Sequence, residues 1–349
     1  MLKNRYIVMA IVVIFLVTFT GCSQKSNEVV YLENSPKVTF ADVYEKMTAV
    51  IAEDGNCYIR GSSVSESTPF GVKNVSQYIK QYDSLDVSKV DNFVQIYSGN
   101  NAISIELSSN GGAIVTKNNE VWLFADVQKY KTPNFFCNNA VSAKLHKDEV
   151  YILTQNGELK LFGIDDPDKT VLLCNDVVDF KVMEHDESIW VLTADNELVI
   201  FRRVNDVLVE QCKIENIVSF DGMSLEYNRS LSKGLYSVGM VSNQGITMYY
   251  KGYGYPESQN LKRISTDNKT LFVSAYSKGL IVTDENNDSF VYGADLISDD
   301  TYSGNLLAQN VINVSAGRFG LSVVSNENEL ISIGLFPSSK YVAIGDIIN

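Results

Sequence analysis

The feature that most constrains this sequence is an internal repeat. Residues 150–163 read VYILTQNGELKLFG and residues 189–201 read IWVLTADNELVIF. Each holds an apolar run, a threonine, a short Asn/Asp/Gly turn, a glutamate and a second run of alternating polarity. Asn-Gly and Asp-Asn tolerate the positive φ of a tight turn, so each segment predicts a β-hairpin closed by a two-residue type I′ turn. The pattern recurs as AVIAEDGNCYIRG (49–61), AIVTKNNEVWLFA (113–125), VGMVSNQGITMYYKG (238–252), LIVTDENNDSFVYG (280–293) and SVVSNENELISIG (322–334). The positions matching Thr154 are Ala52, Thr116, Thr193, Ser242, Thr283 and Ser325, and the successive intervals are 64, 38, 39, 49, 41 and 42 residues.

Units of about forty residues, with no segment that reads as a long amphipathic helix, predict an all-β radial array of small sheets. One such sheet cannot bury both of its faces alone, so neighbours must stack and the ring must close. A weaker segment precedes several hairpins: AVSAKL (140–145), VVDFKV (177–182), NIVSF (216–220) and VINVSAG (311–317). These read as inner strands, giving three or four strands per unit. The long first interval holds an insertion at 63–93, where SQYIKQYDSLDVSKV predicts a short helix or an excursion on one face. Closure is expected to pair a terminal strand, from 29–40 or 341–348, into the first or last unit.

The stretch VSAGRFGLSVVSNENELISIG (314–334) resembles the repeat of the regulator of chromosome condensation family: a V-x-A-G opening, a small-apolar strand, a polar turn and a strand ending in Gly. The Trp-Gly that often ends that repeat is represented by Phe162-Gly163, Tyr292-Gly293 and Ile333-Gly334. The resemblance spans roughly residues 40–334. It implies a seven-bladed β-propeller and a habit of binding proteins on the faces of the ring.

The amino terminus is an address. Lys3 and Arg5 form a basic start, Tyr6 to Phe19 run apolar, and Thr20-Gly21-Cys22 follow. Fourteen residues at 1.5 Å each are too short to cross about 30 Å of hydrocarbon, so the run reads as a signal peptide rather than a permanent span. The small residues before the cysteine resemble a bacterial lipobox. By that resemblance the chain is cut after residue 21 and Cys22 carries a thioether-linked diacylglycerol and an acylated amine, a stable membrane anchor. The expected organisation is a signal peptide (1–21), the lipidated cysteine with a flexible tether (22–37) and a seven-bladed propeller (38–349), exported and held on the extracytoplasmic side of a bacterial cell membrane.

Charge narrows the partners. The chain carries 42 Asp+Glu against 29 Lys+Arg, a formal net charge of −13. Losing Lys3 and Arg5 with the signal peptide makes the mature value −15. A phosphate backbone is bound by clustered cations, so this balance excludes nucleic acid as the partner. The chromatin and GTPase roles of the eukaryotic founder do not transfer to an exported acidic lipoprotein.

Few residues offer chemistry. His146 and His185 stand 39 apart, like Thr154 and Thr193, and read as one exposed turn position in consecutive repeats; zinc needs three or four converging ligands. Cys137, Cys174 and Cys212 stand 37 and 38 apart, each before the inner strand of its own unit and too far from its neighbours for a disulfide, and with Cys57 they are expected to be mostly buried free thiols. Asp284, Asn286 and Asp288 form a D-x-N-x-D run with Asp295 at the twelfth place, but Ser289 replaces the glycine of a calcium loop, so a polar turn is expected. Sialidase-type S-x-D-x-G-x-T-W turns are absent from the sequence. The expectation is a protein that is not an enzyme and needs no cofactor or metal.

Aromatic loop residues are the better binding candidates. MYYKGYGYPESQN (248–260) concentrates tyrosines, of which Tyr249 and Tyr250 read as packing and Tyr253 and Tyr255 as candidate contacts. Arg318 and Phe319, in the turn 317–320, form a second candidate pair. Trp122 and Trp190 read as core. The reading is a membrane-anchored binding or scaffold lipoprotein whose propeller face engages a protein partner. A glycan-binding or glycan-cleaving propeller and a purely structural envelope component are the alternatives.

Overall fold

Hairpin follows hairpin along the chain, and each unit closes as its own antiparallel sheet. A computed structural model describes residues 31–32, 37–44, 47–61, 93–109, 111–125, 128–130, 132–204, 207–277, 279–293, 304–318 and 320–334. The first blade contains β1 (Tyr31–Leu32), β2 (Val38–Tyr44), β3 (Met47–Ala52), β4 (Cys57–Gly61) and β5 (Phe93–Tyr97). The second holds β6 (Ala102–Ser108), β7 (Gly111–Thr116), β8 (Val121–Ala125) and β9 (Asn134–Cys137). The third holds β10 (Ala140–His146), β11 (Glu149–Thr154), β12 (Leu159–Gly163) and β13 (Thr170–Cys174). The fourth holds β14 (Val177–Met183), β15 (Ser188–Thr193), β16 (Glu197–Val204) and β17 (Val207–Glu215). The fifth holds β18 (Ile217–Asn228), β19 (Lys233–Ser242), β20 (Thr247–Tyr253) and β21 (Lys262–Ile264). The sixth holds β22 (Thr270–Tyr276), β23 (Gly279–Asp284), β24 (Ser289–Gly293) and β25 (Asn305–Ala308). The seventh holds β26 (Val311–Ala316), β27 (Gly320–Ser325) and β28 (Leu330–Gly334). Strands are ordered by sequence within each sheet, except that β1 adds outside β5. This is a seven-bladed β-propeller.

The hairpin turns differ from the type I′ expectation, and the difference explains how the ring holds. In the third blade the N–H of Gly157 donates to Thr154 O at 3.0 Å, and Thr154 N–H donates to Glu158 O at 2.9 Å. This is a three-residue turn with one left-handed residue at its end. That residue is Gly55, Asn119, Gly157, Asn196, Gly245, Asn287 or Asn328 in successive blades. Glycine and asparagine are the residues that occupy this backbone region at low cost. In each blade the carbonyl of this residue accepts the first N–H of the next blade's inner strand, at 2.7–3.1 Å. The last of these bonds, Val38 N–H to Asn328 O at 2.9 Å, joins the seventh blade to the first and closes the ring.

A short polar side chain at the end of the second strand caps each of five turns. Thr154 Oγ1 accepts the Glu158 N–H at 3.2 Å, and Thr116, Thr193, Ser242 and Ser325 act alike. In the sixth blade the register places Asp284 here, opposite Thr270, and not Thr283. Its Oδ1 accepts N–H bonds from Asn286 and Asp288, while Asn268 Nδ2 donates to Oδ2. The D-x-N-x-D run is thus a capped turn.

The core lies between blades. Seven buried clusters fill the seven interfaces; one joins Met47, Ile51 and Ile59 to Ile105, Ile114 and Phe124, and the closing one joins Val38, Ala41 and Tyr58 to Val324. Each buried Ile, Leu or Val contributes about 1.5–3 kcal/mol relative to exposure. Trp190 is fully buried, Trp122 is half-buried against the first interface, and Tyr249 and Tyr250 are buried packing residues. The four described cysteines are free; Cys57 is buried and the other three are half-buried. Residues 341–348, the other segment expected to close the ring, lie outside the described residues, as does most of the insertion at 63–93.

Candidate functional site

Because every blade starts from its inner strand and adds antiparallel strands outward, all seven inner strands run in one direction and surround a channel. Their burial pattern repeats too. The first residue is buried against the preceding blade, and the fourth and sixth are buried between blades in most strands. The third and fifth reach the channel. The fifth positions are Asp42, Glu106, Lys144, Lys181, Asp221, Ser274 and Ser315, which form a polar ring around a cavity of about 350 Å³.

This ring is wired from blade to blade. Lys144 pairs with Glu106 at 3.0 Å and donates to Leu107 O at 2.7 Å. Lys181 pairs with Asp221 at 3.1 Å, and Asp221 Oδ2 accepts from Ser274 Oγ at 3.0 Å and Ala275 N–H at 2.9 Å. Asp42 accepts from Leu107 N–H and Ser315 Oγ, both at 2.7 Å, and so ties the seventh, first and second blades together. Asp221 holds the Lys181 ammonium well above its usual pKa, against the opposing effect of burial. Burial raises the Asp42 carboxyl, with Lys144 opposing. At a third position, Asp179 accepts the N–H of Phe180 at 2.8 Å, and burial pushes it up to about 6.

At one end of the channel, the end carrying the turns between the first two strands of each blade, Tyr44 donates to Glu184 Oε2 at 2.5 Å. His146 ends β10 there, 3% exposed, with neither ring nitrogen hydrogen-bonded among the described residues. Burial lowers its pKa. The equal-position reading of His146 and His185 is corrected by the register: Met183 matches His146, and His185 lies two residues further on, in a turn lengthened to 184–187. His146 is therefore a core residue, and only His185 is exposed.

The sequence-derived contact residues also sit at this end. Tyr253 is 40% exposed and its hydroxyl donates to Glu226. Tyr255 is half-buried and stacks on Tyr236, centroids 5.8 Å apart. Arg318 is exposed at the channel rim, and its carbonyl accepts from Ser277 Oγ at 2.8 Å. Tyr253 and Tyr255 belong to the fifth blade and Arg318 to the seventh, so one face carries them without bringing them into one cluster. Phe319 and Cys22 lie outside the described residues.

The other end was not singled out from the sequence. Between the first and third residue of each inner strand the register skips one residue, a β-bulge. The skipped residues are Thr39, Ile103, Val141, Val178, Val218, Leu271 and Ile312. The six apolar ones are 41–57% exposed. They stand beside the channel-lining third positions at the mouth encircled by the seven hairpin turns. Those turns carry Glu53, Asp54, Glu120, Glu158, Asp195, Glu197, Glu285, Asp288, Glu327 and Glu329, with Lys117 the one cation. The links into the inner strands and the strand ends beside them add Asp176, Glu215 and Asp267 against Lys37, Arg263 and Lys269. Only Glu158 and Glu197 of these acids form ion pairs in the described structure, with Lys160 and Lys213, each at 2.7 Å. The opposite face is mixed, with Lys147, Arg203, Arg229 and Arg318 among its acids.

No family model matches this sequence, and no curated protein does. The fold is similar to that of Prp20p from Saccharomyces cerevisiae, at a TM-score of 0.55 and 14% identity over 82% of this chain and 83% of that one. Human WBSCR16 is similar at 0.54 and 12% identity, over 82% and 86% of the two chains. PorZ, a bacterial surface component of the type-IX secretion system of Porphyromonas gingivalis, is similar at 0.52 and 11% identity, over 90% of this chain but 39% of that one. At these identities the likeness is one of fold: the chain is a seven-bladed β-propeller similar in structure to Prp20p.

Proposed function

We propose that this chain is an exported lipoprotein, anchored through Cys22, that binds a protein partner on a face of its propeller and performs no catalysis. The observation that carries the reading is the set of six exposed apolar side chains at one repeated position around one channel mouth. Scattered exposed hydrophobics need no explanation, but six placed together are the kind of surface that protein contacts use. The channel interior supports a structural rather than catalytic role, because its lysines and most of its carboxylates hold one another and the backbone of the next blade. Relatives in fold are consistent with binding: Prp20p is described with binding to Gsp1p and histones, and PorZ is a surface component. The test is crosslinking in intact cells with the anchored protein. A partner recovered in stable proportion to the lipoprotein is expected; recovery of none contradicts the reading. Clickable fatty acid should label the wild type, and label retained by Cys22→Ala would refute the anchor.

A further inference from the structure

We propose that the docking surface is the face of the hairpin turns, and that its occupant is a protein segment with an apolar cluster flanked by lysine or arginine. The inference rests on the partner-binding reading and names its face and chemistry.

Three features of that face converge. The β-bulge expels one side chain per inner strand, and in six of seven blades that side chain is Val, Ile or Leu. Thr39 in the first blade shows that the backbone accepts a polar residue there. Outside the apolar ring, the turns are almost uniformly acidic. Inside it, Asp179 lines the channel, and the neighbouring Lys181 is engaged by Asp221.

An apolar ring inside an acidic rim fits a partner of the complementary pattern. Burying the ring supplies affinity, and the rim steers cations toward it and penalises anions. Anionic lipid headgroups and nucleic acid are repelled by the same field. The opposite face lacks this pattern: its acids and bases are mixed, its exposed Val204, Val207, Leu231 and Tyr253 belong to the fourth and fifth blades alone and form no ring, and Tyr253 is bonded to Glu226.

The experiment places a photoreactive benzophenone amino acid in the full chain, in its host cell, at position 178, 218 or 253. After illumination the attached peptide is identified. Adducts at 178 and 218 are expected, on a protein segment where apolar residues adjoin Lys or Arg. Recovery with a reversible crosslinker should fall roughly tenfold from low to high salt. An adduct at 253 alone would overturn the proposal and leave partner binding standing. Adducts at 178 or 218 to an acidic segment, a glycan or a lipid would overturn the assigned occupant. No adduct at any position would count against both readings. Equal thermal stability of the three proteins guards against loss by misfolding.

Discussion

The phenol of Tyr44 donates to Glu184 Oε2 at 2.5 Å, a bond between the first and fourth blades that crosses the end of the channel. Blades so far apart in the ring share no packed interface, so this contact braces the ring from within. Tyr44→Phe should cost about 1–2 kcal/mol, in the range of a hydrogen bond to a charged group. Hydrogen exchange should quicken in the 184–187 turn while the hairpin turns at the other end stay protected. Unchanged exchange there would show that the brace carries no load.

Asp42 links three blades across the ring's seam. Its carboxylate satisfies Leu107 N–H in the second blade and Ser315 Oγ in the seventh. Asp42→Ala strands both donors and should lower unfolding stability by about 2–4 kcal/mol. Ser315→Ala removes the bond to Asp42 and the one its Oγ accepts from Val43 N–H at 2.9 Å; only one of the two involves a charged group, so it should cost less. Denaturant titration ranks the two, and a larger loss for Ser315→Ala would contradict this account.

Asp179 should lower stability at neutral pH. Burial raises its folded pKa to about 6, with Lys181 opposing and Glu106 and Asp221 adding to the rise. The folded carboxyl therefore keeps its proton more tightly than the unfolded one. Its contribution favours the fold below about pH 4 and is lost as pH rises through about 6. Asp179→Asn should stabilise the protein by about 1–3 kcal/mol at pH 7, with the gain vanishing near pH 4. Melting curves across that window check the sign.

His146 acts in the opposite direction. It is buried neutral, with its pKa lowered, so the unfolded state takes up the proton first on acidification. Stability is retained above about 6.5 and falls as pH drops below it. Met183 fills the same place in the next blade. His146→Met should fold normally and flatten the pH dependence between about 5 and 7, against a wild type that weakens there.

The left-handed turn position separates two glycines. A Cβ on Gly55 would lie 2.6 Å from the Asn100 carbonyl carbon and 2.8 Å from the Asn101 nitrogen, whereas on Gly157 the nearest atom is Val177 O at 3.3 Å. Gly55→Ala should cost about 2–4 kcal/mol, from backbone strain and the clash together, and Gly157→Ala about 1. Gly157→Asn should be milder still, because asparagine already serves in four of the other turns. Equal losses at 55 and 157 would show that the interblade contact does not set the cost.

The hairpins carried most of the fold in plain view, since a capping Thr or Ser, an Asn or Gly and alternating strands recur in one order. Register was harder. Thr283 stood in for Asp284 because aspartate caps the turn through a longer side chain, and the His146–His185 match arose from a lengthened turn. The channel ring was invisible because Asp, Glu, Lys and Ser occupy one position in different blades, and only closure brings them together. The apolar mouth was hidden for a related reason. Val178 and Val218 read as ordinary strand residues, and a bulge, which exposes them, leaves no mark in hydrophobic periodicity.

The central claim, that the turn face holds a partner, is met most directly by comparing two variants in one recovery experiment. Val178→Asp with Val218→Asp alters only that face, and Tyr253→Ala alters only the other. With melting temperatures matched, the account predicts at least a tenfold loss of partner for the first protein and unchanged recovery for the second. Full recovery by the first, or a loss confined to the second, would contradict it.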